Sequence, residues 1–377
     1  MRTFTGIAVN FSYSLIGKII SEAVSPHATE PDAHVFIFND PTGGSQRTGL
    51  LLNSSSPLFE NCDSPVFKLL GENYVVEKGD VILLTPNGEG TVLYERKSRS
   101  NAVLVTNRCN SHCITCPQPP QPDQEDLADF SSKIISLIDP DLEVLGITGG
   151  EPTLNWEGLL KVVSASRKFL PNTSIQLLTN ARLLKDFVKT KELAELAEGN
   201  LFACVPLYGD VDTIHDEIVG VSGAFWETVE GLYNLARVGI CVELRTVIMQ
   251  SNYSRLEKWA EFVYRTFPFV DHVALMGLEP IGLAAENINK VWIDPADYAR
   301  QLEKSVKSLH RRGLNVSIYN HQICTLPESL WPFARKSISE WKNIYFRECE
   351  GCKMQPGCGG FFHSAQTQKS RAISAFS

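Results

Sequence analysis

From residue 102 onward the apolar positions fall into two alternating kinds of segment. Short runs rich in Val, Ile and Leu recur at AVLVT (102–106), EVLGIT (143–148), SIQLLT (174–179), LFACVPLY (201–208), CVELRTVIM (241–249), HVALMGL (272–278) and NVSIY (315–319). Each is bounded by turn residues and predicts a buried strand. Between them, apolar residues spaced three and four apart predict helices near 125–138, 157–169, 184–198, 225–238, 254–266 and 294–312. Strands that are apolar on both faces and separated by helices predict a parallel sheet with right-handed crossovers. Six or seven such units are too few for an eight-stranded ring. The expected fold class is therefore α/β, with a partial (β/α)6 TIM-like barrel.

The first 95 residues have another rhythm. HVFIFND (34–40), GDVILLTP (79–86) and GTVLYERK (90–97) read as strands, with turn signals such as Pro41-Thr42-Gly43-Gly44 between them. Asn87-Gly88 predicts a hairpin turn. The opening MRTFTGIAVNFSYSLIGKII is broken by polar residues and lacks a signal-peptide profile. No window offers the ~20 apolar residues a membrane span needs. The expected division is a small β-rich accessory domain over 1–95, the partial barrel over 96–322, and a Cys-rich extension over 323–377.

Composition is globular, with 43% hydrophobic and 21% charged residues in 377. A formal charge of -8 argues against a nucleic-acid groove. Of the ten cysteines, six fall into two short clusters. Thiols used for metal imply a reducing, cytoplasmic setting. Cys204 and Cys241, inside apolar strands, read as core cysteines, and Cys62 as a plain thiol. His27, His34, His272 and His310 receive no role.

The informative residues stand at the C-terminal ends of the strands, where parallel α/β folds place their sites. The first strand is followed by Cys109, Cys113 and Cys116, spaced C-x3-C-x2-C. Three thiolates on one loop make a soft-metal site. They are one ligand short of a closed zinc site or a fully protein-held cubane, so one iron of a 4Fe-4S cluster would keep an open position. The competing reading is a zinc knuckle closed by His112 or a distant cysteine. The second strand ends in Thr148-Gly149-Gly150-Glu151-Pro152, where paired glycines allow close backbone approach to a ligand. The third ends in Thr179-Asn180, either ligand contacts or a helix cap. The fifth carries Glu243 and Arg245 on one face, with Asn252 just beyond. Near the C-terminus, Cys349, Cys352 and Cys358 follow C-x2-C-x5-C with glycines alongside, and Cys324 supplies a fourth thiol. That set describes a closed site, an auxiliary iron–sulfur cluster or a zinc ribbon.

The C-x3-C-x2-C loop after a first strand, followed by Gly149-Gly150-Glu151-Pro152, resembles the radical S-adenosylmethionine (SAM) superfamily. The resemblance implies that Cys109, Cys113 and Cys116 hold a 4Fe-4S cluster whose fourth iron is chelated by SAM. It implies that Gly149, Gly150 and Glu151 meet the methionine amino group, that Thr179 and Asn180 meet the SAM carboxylate or ribose, and that Arg245 pairs with the carboxylate. It also implies that Glu279-Pro280-Ile281-Gly282 shapes the adenine pocket. The tail resembles the SPASM or twitch extension of peptide-modifying members, implying one auxiliary 4Fe-4S cluster on Cys324, Cys349, Cys352 and Cys358. CNSHCITCPQPP and the Cys-Gly-Gly-Phe-Phe tail look most like a radical SAM maturase of the His-Xaa-Ser system. Such an enzyme cleaves SAM reductively to a 5'-deoxyadenosyl radical and modifies a peptide or protein. The partners implied are that substrate, a second radical SAM maturase and an electron donor, with no nucleic acid and no membrane. The alternatives are another substrate, such as a sulfatase, a quinone-cofactor precursor or a small molecule, and, outside enzymes, a metal-stabilised scaffold or electron carrier.

Overall fold

The computed structural model describes residues 2–23, 33–39, 46–52, 64–70, 76–123, 126–336, 344–366 and 368–376. Cys62, His27 and the turn at 41–44 lie outside them. The chain divides into two compact units. One comprises Met1–Ala102 with Asp129–Glu143 and Ser164–Thr173, and the other Val103–Ala128, Val144–Val163 and Ser174–Ser377.

In the first unit seven strands close into a barrel. They are β1 (Thr3–Val9), β2 (Leu15–Ala23), β3 (Ala33–Asn39), β4 (Gln46–Leu52), β5 (Val66–Leu69), β6 (Val81–Leu84) and β7 (Glu89–Tyr94). The order round the barrel is β1-β5-β4-β3-β2-β6-β7. Closure removes every exposed sheet edge. Its core gathers Phe4, Leu15, Ile19, Phe36, Phe38, Leu51, Phe67 and Ile82. The Asn87-Gly88 hairpin forms as expected, pairing Leu84 with Gly90. The pattern had disclosed three of the seven strands. In β1, exposed and half-buried positions outnumber buried ones, so it carries too little apolar signal to be read alone.

The second unit contains the parallel sheet. The strands and helices after the barrel, in chain order, are β8 (Ala102–Leu104), α1 (Leu127–Ile135), β9 (Val144–Thr148), α2 (Trp156–Phe169), β10 (Ser174–Leu178), α3 (Phe187–Ala197), β11 (Leu201–Pro206), α4 (Asp212–Val219), α5 (Ala224–Arg237) and β12 (Cys241–Ile248); α1 from Asp129 and α2 from Ser164 group with the first unit. They continue with α6 (Leu256–Thr266), β13 (His272–Gly277), α7 (Leu283–Glu286), α8 (Ile288–Val291), α9 (Pro295–Arg311) and β14 (Asn315–Tyr319). Strands β8 to β14 neighbour one another in sequence order. The sheet is thus seven-stranded and parallel, of the α/β class expected, and all seven apolar runs became its strands.

Register explains the layering. Leu177, Ala203, Val242, Val273 and Val316 fall on one face, buried to 5% exposure or less. Helix α5 contacts β12 and α9 contacts β14. Asp186 caps α3 by accepting from the Val188 and Lys189 amides, and Asp294 caps α9 ahead of Pro295. Cys241, expected in the core, is exposed because β12 begins there. No helix among the described residues is long and apolar enough to cross a membrane.

Candidate functional site

The loop after β8 is short of regular structure, yet its backbone is tied down almost residue by residue. The Gly150 amide donates to the Thr106 carbonyl at 2.8 Å, and the Glu151 amide to the Arg108 carbonyl at 2.8 Å. The His112 and Ile114 amides donate to the Val219 and Ile218 carbonyls at the end of α4, at 2.8 and 2.9 Å. At the far end the Leu283 amide donates to the Cys116 carbonyl at 2.9 Å, and Asn287 Nδ2 to the Ile114 carbonyl at 3.0 Å. Asp123 closes the near end by accepting from the Asn107 amide at 2.6 Å and from Arg108 Nε at 3.1 Å. The segments after β9 and β13, together with α4, therefore fix one loop.

The paired glycines owe their identity to this packing. A Cβ on Gly149 would lie 2.3 Å from the Thr106 carbonyl oxygen, where φ is also +154°. One on Gly150 would lie 2.3 Å from the Arg108 carbonyl oxygen. Both clashes are with backbone, which cannot rotate away. Gly282, at φ +53°, likewise has its Cβ position filled by the Cys116 and Pro117 carbonyl oxygens at 2.5 Å. The turn expected to shape an adenine pocket thus clasps the end of the cysteine loop.

Glu151 is fully buried. Its Oε1 accepts from the Thr153 amide at 3.1 Å, from Thr153 Oγ1 at 2.6 Å and from Thr179 Oγ1 at 2.6 Å, and its Oε2 accepts from the Asn180 amide at 2.7 Å. Burial raises its pKa, and these donors oppose the rise. The carboxylate is therefore a knot joining the ends of β9 and β10. Asn180 continues the link, donating from Nδ2 to Asn110 Oδ1 at 2.7 Å inside the cysteine loop. Ala181 stands at φ +60°, the left-handed region, at a cost of ~1 kcal/mol for a residue with a Cβ. Next to it, buried Arg182 reaches the loop. Its Nη1 donates to the Asn110 carbonyl and to Ser111 Oγ at 3.2 Å, while Nε donates to Glu227 Oε2 at 2.7 Å.

The three thiols lie close enough to feel one another. Burial first, then Cys109 and Cys116, push Cys113 up to about 12. Cys109 and Cys116 are raised as well, chiefly by burial. Such a trio resists ionising alone and suits a multiply charged cationic core that displaces the protons. Among the described residues no three His, Cys, Asp or Glu side chains converge closely enough to hold one metal ion. A cubane asks for something different, because each thiolate bonds its own iron. Tyr208, at the end of β11, lies near all three thiols, which raise its phenol after burial does.

Arg245 is placed elsewhere on the sheet. Its Nε donates to Glu243 Oε1 at 2.5 Å and its Nη2 to Cys204 Sγ at 3.1 Å, with Gln176 Nε2 also on Cys204 at 3.3 Å. His272 bridges Glu243 Oε2 at 2.7 Å and Ser317 Oγ at 2.9 Å. Burial opposes the ionisation of Glu243, but His272 and Arg245 outweigh it and hold the carboxyl down to about 2. This belt crosses strands β10 to β14 on the face opposite the apolar one. Glu243 and His272 border a cavity of about 390 Å³.

The tail thiols gather separately. Cys324, Cys349, Cys352 and Cys358 line one small cavity with Tyr345, Met354 and Phe376. Backbone amides point at sulfur, Gly360 N–H to Cys358 Sγ at 3.5 Å and Phe376 N–H to Cys352 Sγ at 3.4 Å. Tyr345 ties the Gln355 and Cys358 carbonyls from its hydroxyl at 3.1 and 2.8 Å. Four soft donors in a capped apolar cavity fit a closed thiolate centre. The sequence pattern missed Arg182, Asp123, Tyr208 and His272. Only the location of Arg182 directly behind Thr179-Asn180 was available as a signal.

Comparison with known proteins places this geometry. Residues 103–263 match the family model described as the radical SAM superfamily. The GTP 3',8-cyclase of Nautilia profundicola is 28% identical over 169 residues, 42% of this chain and 49% of that protein. The chain thus spans about half the length of the curated relatives it matches. The antilisterial bacteriocin subtilosin biosynthesis protein AlbA of Bacillus subtilis is 21% identical over 276 residues, 69% of this chain and 57% of that protein. The solved structure of anSMEcpe with bound AdoMet superposes with a TM-score of 0.52 at 16% identity, covering 73% of this chain and 89% of that one. The span that matches the radical SAM superfamily, residues 103–263, carries the first five strands of the sheet and the tethered C-x3-C-x2-C loop.

Proposed function

We propose that the chain is a radical SAM enzyme that modifies a peptide or protein. The observation that carries this reading is the tethered loop: three thiols raised by burial, held by the segments after β9, β10 and β13 and by α4, with no fourth cysteine in the loop. A 4Fe-4S cluster with SAM on its open iron would supply a carbon-centred radical able to abstract hydrogen from an unactivated carbon. The protein's own contribution is orientation. Gly149 and Gly150 let the backbone lie against the loop, and Thr179, Asn180 and Tyr208 stand at neighbouring strand ends. Glu151 acts on any ligand there through Thr179 and Asn180, since its oxygens are already occupied.

The likeness to AlbA runs over 69% of the chain, well past the domain shared with the GTP 3',8-cyclases. That supports a peptide over a small molecule. The finer reading is maturation of a His-Xaa-Ser target with a second radical SAM maturase and an electron donor. The accessory domain at 1–95 would dock a partner, and the extension from 323 would hold one auxiliary cluster on its four thiols. Anaerobic reconstitution tests this. About eight irons per chain, and release of 5'-deoxyadenosine from SAM after reduction, support it. A zinc-bearing chain that leaves SAM intact overturns it.

A further inference from the structure

Arg182 is the most deeply placed cation near the cysteine loop, and only its nearness to Thr179-Asn180 marked it in the sequence. The residue is 9% exposed, and its guanidinium donates to three acceptors on two sides. One edge grips the loop between Cys109 and Cys113, through the Asn110 carbonyl and Ser111 Oγ. The other faces Glu227, whose second oxygen takes Lys185 Nζ at 2.6 Å. A buried charge is expensive unless its position matters or its pairing is complete. Here the pairing is shared with Lys185, so the cluster of charges keeps a net positive value beside the thiols. Its charge is felt at Cys113.

We propose that Arg182 is a positioning residue that seats the Cys109–Cys116 loop and, with Glu227 as its counter-charge, sets how readily an iron–sulfur centre on those thiols accepts an electron. The inference rests on the cluster reading above. Reduction adds one electron to the centre, breaks no bond and needs no proton, so its charge becomes more negative by one. A fixed cation stabilises the reduced form and raises the midpoint potential. A fixed anion lowers it. Arg182 and Glu227 therefore pull in opposite directions, although both belong to one structural contact.

That opposition is the test. The full chain is reconstituted anaerobically with iron and sulfide, and the centre that responds to added SAM is followed by electron paramagnetic resonance during a dithionite redox titration. R182Q should lower the midpoint relative to the unsubstituted protein, E227Q should raise it, and R182K should stay close to it. Residues that served only as glue would shift both neutral variants the same way. If R182Q does not fold, a raised midpoint in E227Q with an unshifted R182K supports the proposal, and an unshifted or lowered E227Q overturns it. Midpoints moved together, or not at all, overturn the role of Arg182 and leave the cluster reading intact. An unsubstituted chain that takes up no iron overturns the reading itself.

Discussion

Thr179 and Glu151 hydrogen-bond at 2.6 Å in the buried seam between the ends of β10 and β9. Both were expected to face a ligand directly. They face each other instead, and what they hold together is the ground the cysteine loop stands on. Replacing Glu151 with Gln substitutes an NH2 for one acceptor oxygen among four donors. The expected loss of folding stability is about 2–4 kcal/mol, read by chemical denaturation of the metal-free chain. Thr179→Val should cost less, about 1–2 kcal/mol. A Glu151→Gln loss smaller than that of Thr179→Val would show that the carboxylate is no knot.

Gly150→Ala should be as damaging as a core cavity, although only one methyl is added. The new carbon meets the Arg108 carbonyl oxygen with 2.3 Å of room, so the turn must leave the loop. A stability loss of about 2–4 kcal/mol is expected, together with loss of iron uptake by the first cluster. Normal thermal unfolding and normal iron content in this variant would refute the clasp.

His215 gives the chain an acid limit. It is buried, its Nδ1 accepts from the Tyr208 amide at 3.2 Å, and its ring packs on Phe225. Burial first, then Arg182, hold its pKa down to about 4 from 6.5, against the pull of Asp216. The neutral ring is favoured in the fold, so its stability contribution is fully present above pH 6.5 and is lost as pH falls through about 4. The linkage amounts to roughly 3 kcal/mol. His321, buried against Tyr298 and likewise held to about 4, adds a second loss with the same sign. His215→Gln, which keeps an acceptor but cannot titrate, should flatten part of the slope between pH 6.5 and 4 in urea unfolding. An unchanged slope would place the acid sensitivity elsewhere.

The two thiol sites should fail differently. Cys113→Ala should abolish 5'-deoxyadenosine formation from SAM. Cys352→Ala should spare it and remove product formation on the peptide. Equal loss of SAM cleavage in both variants would end this division of labour.

Much of the second unit was legible along the chain. Its strands are read from short runs rich in branched apolar residues between turn residues, and all seven runs appeared in order. The two groups of cysteines were legible because close spacing is a local property. Ala181 shows where the pattern stops: it stands at φ +60°, a conformation that favours glycine, and nothing along the chain marks an alanine for it. The N-terminal barrel was less legible. Its short strands alternate weakly, and its closure depends on pairings such as β1 with β5 and β7, far apart in sequence.

The sequence by itself determined the alternation of strand and helix, the loop that would carry three thiols, and the glycines that would follow it. These depend on periodicity, spacing and the lack of a Cβ, which neighbours along the chain set. Only the tertiary structure decided where the charges go. It joined Glu151 to Thr179, Arg182 to the Asn110 carbonyl, and Glu243 to Arg245 and His272. A buried charge must find a partner wherever the fold brings one within about 3 Å, and no spacing along the chain encodes that meeting.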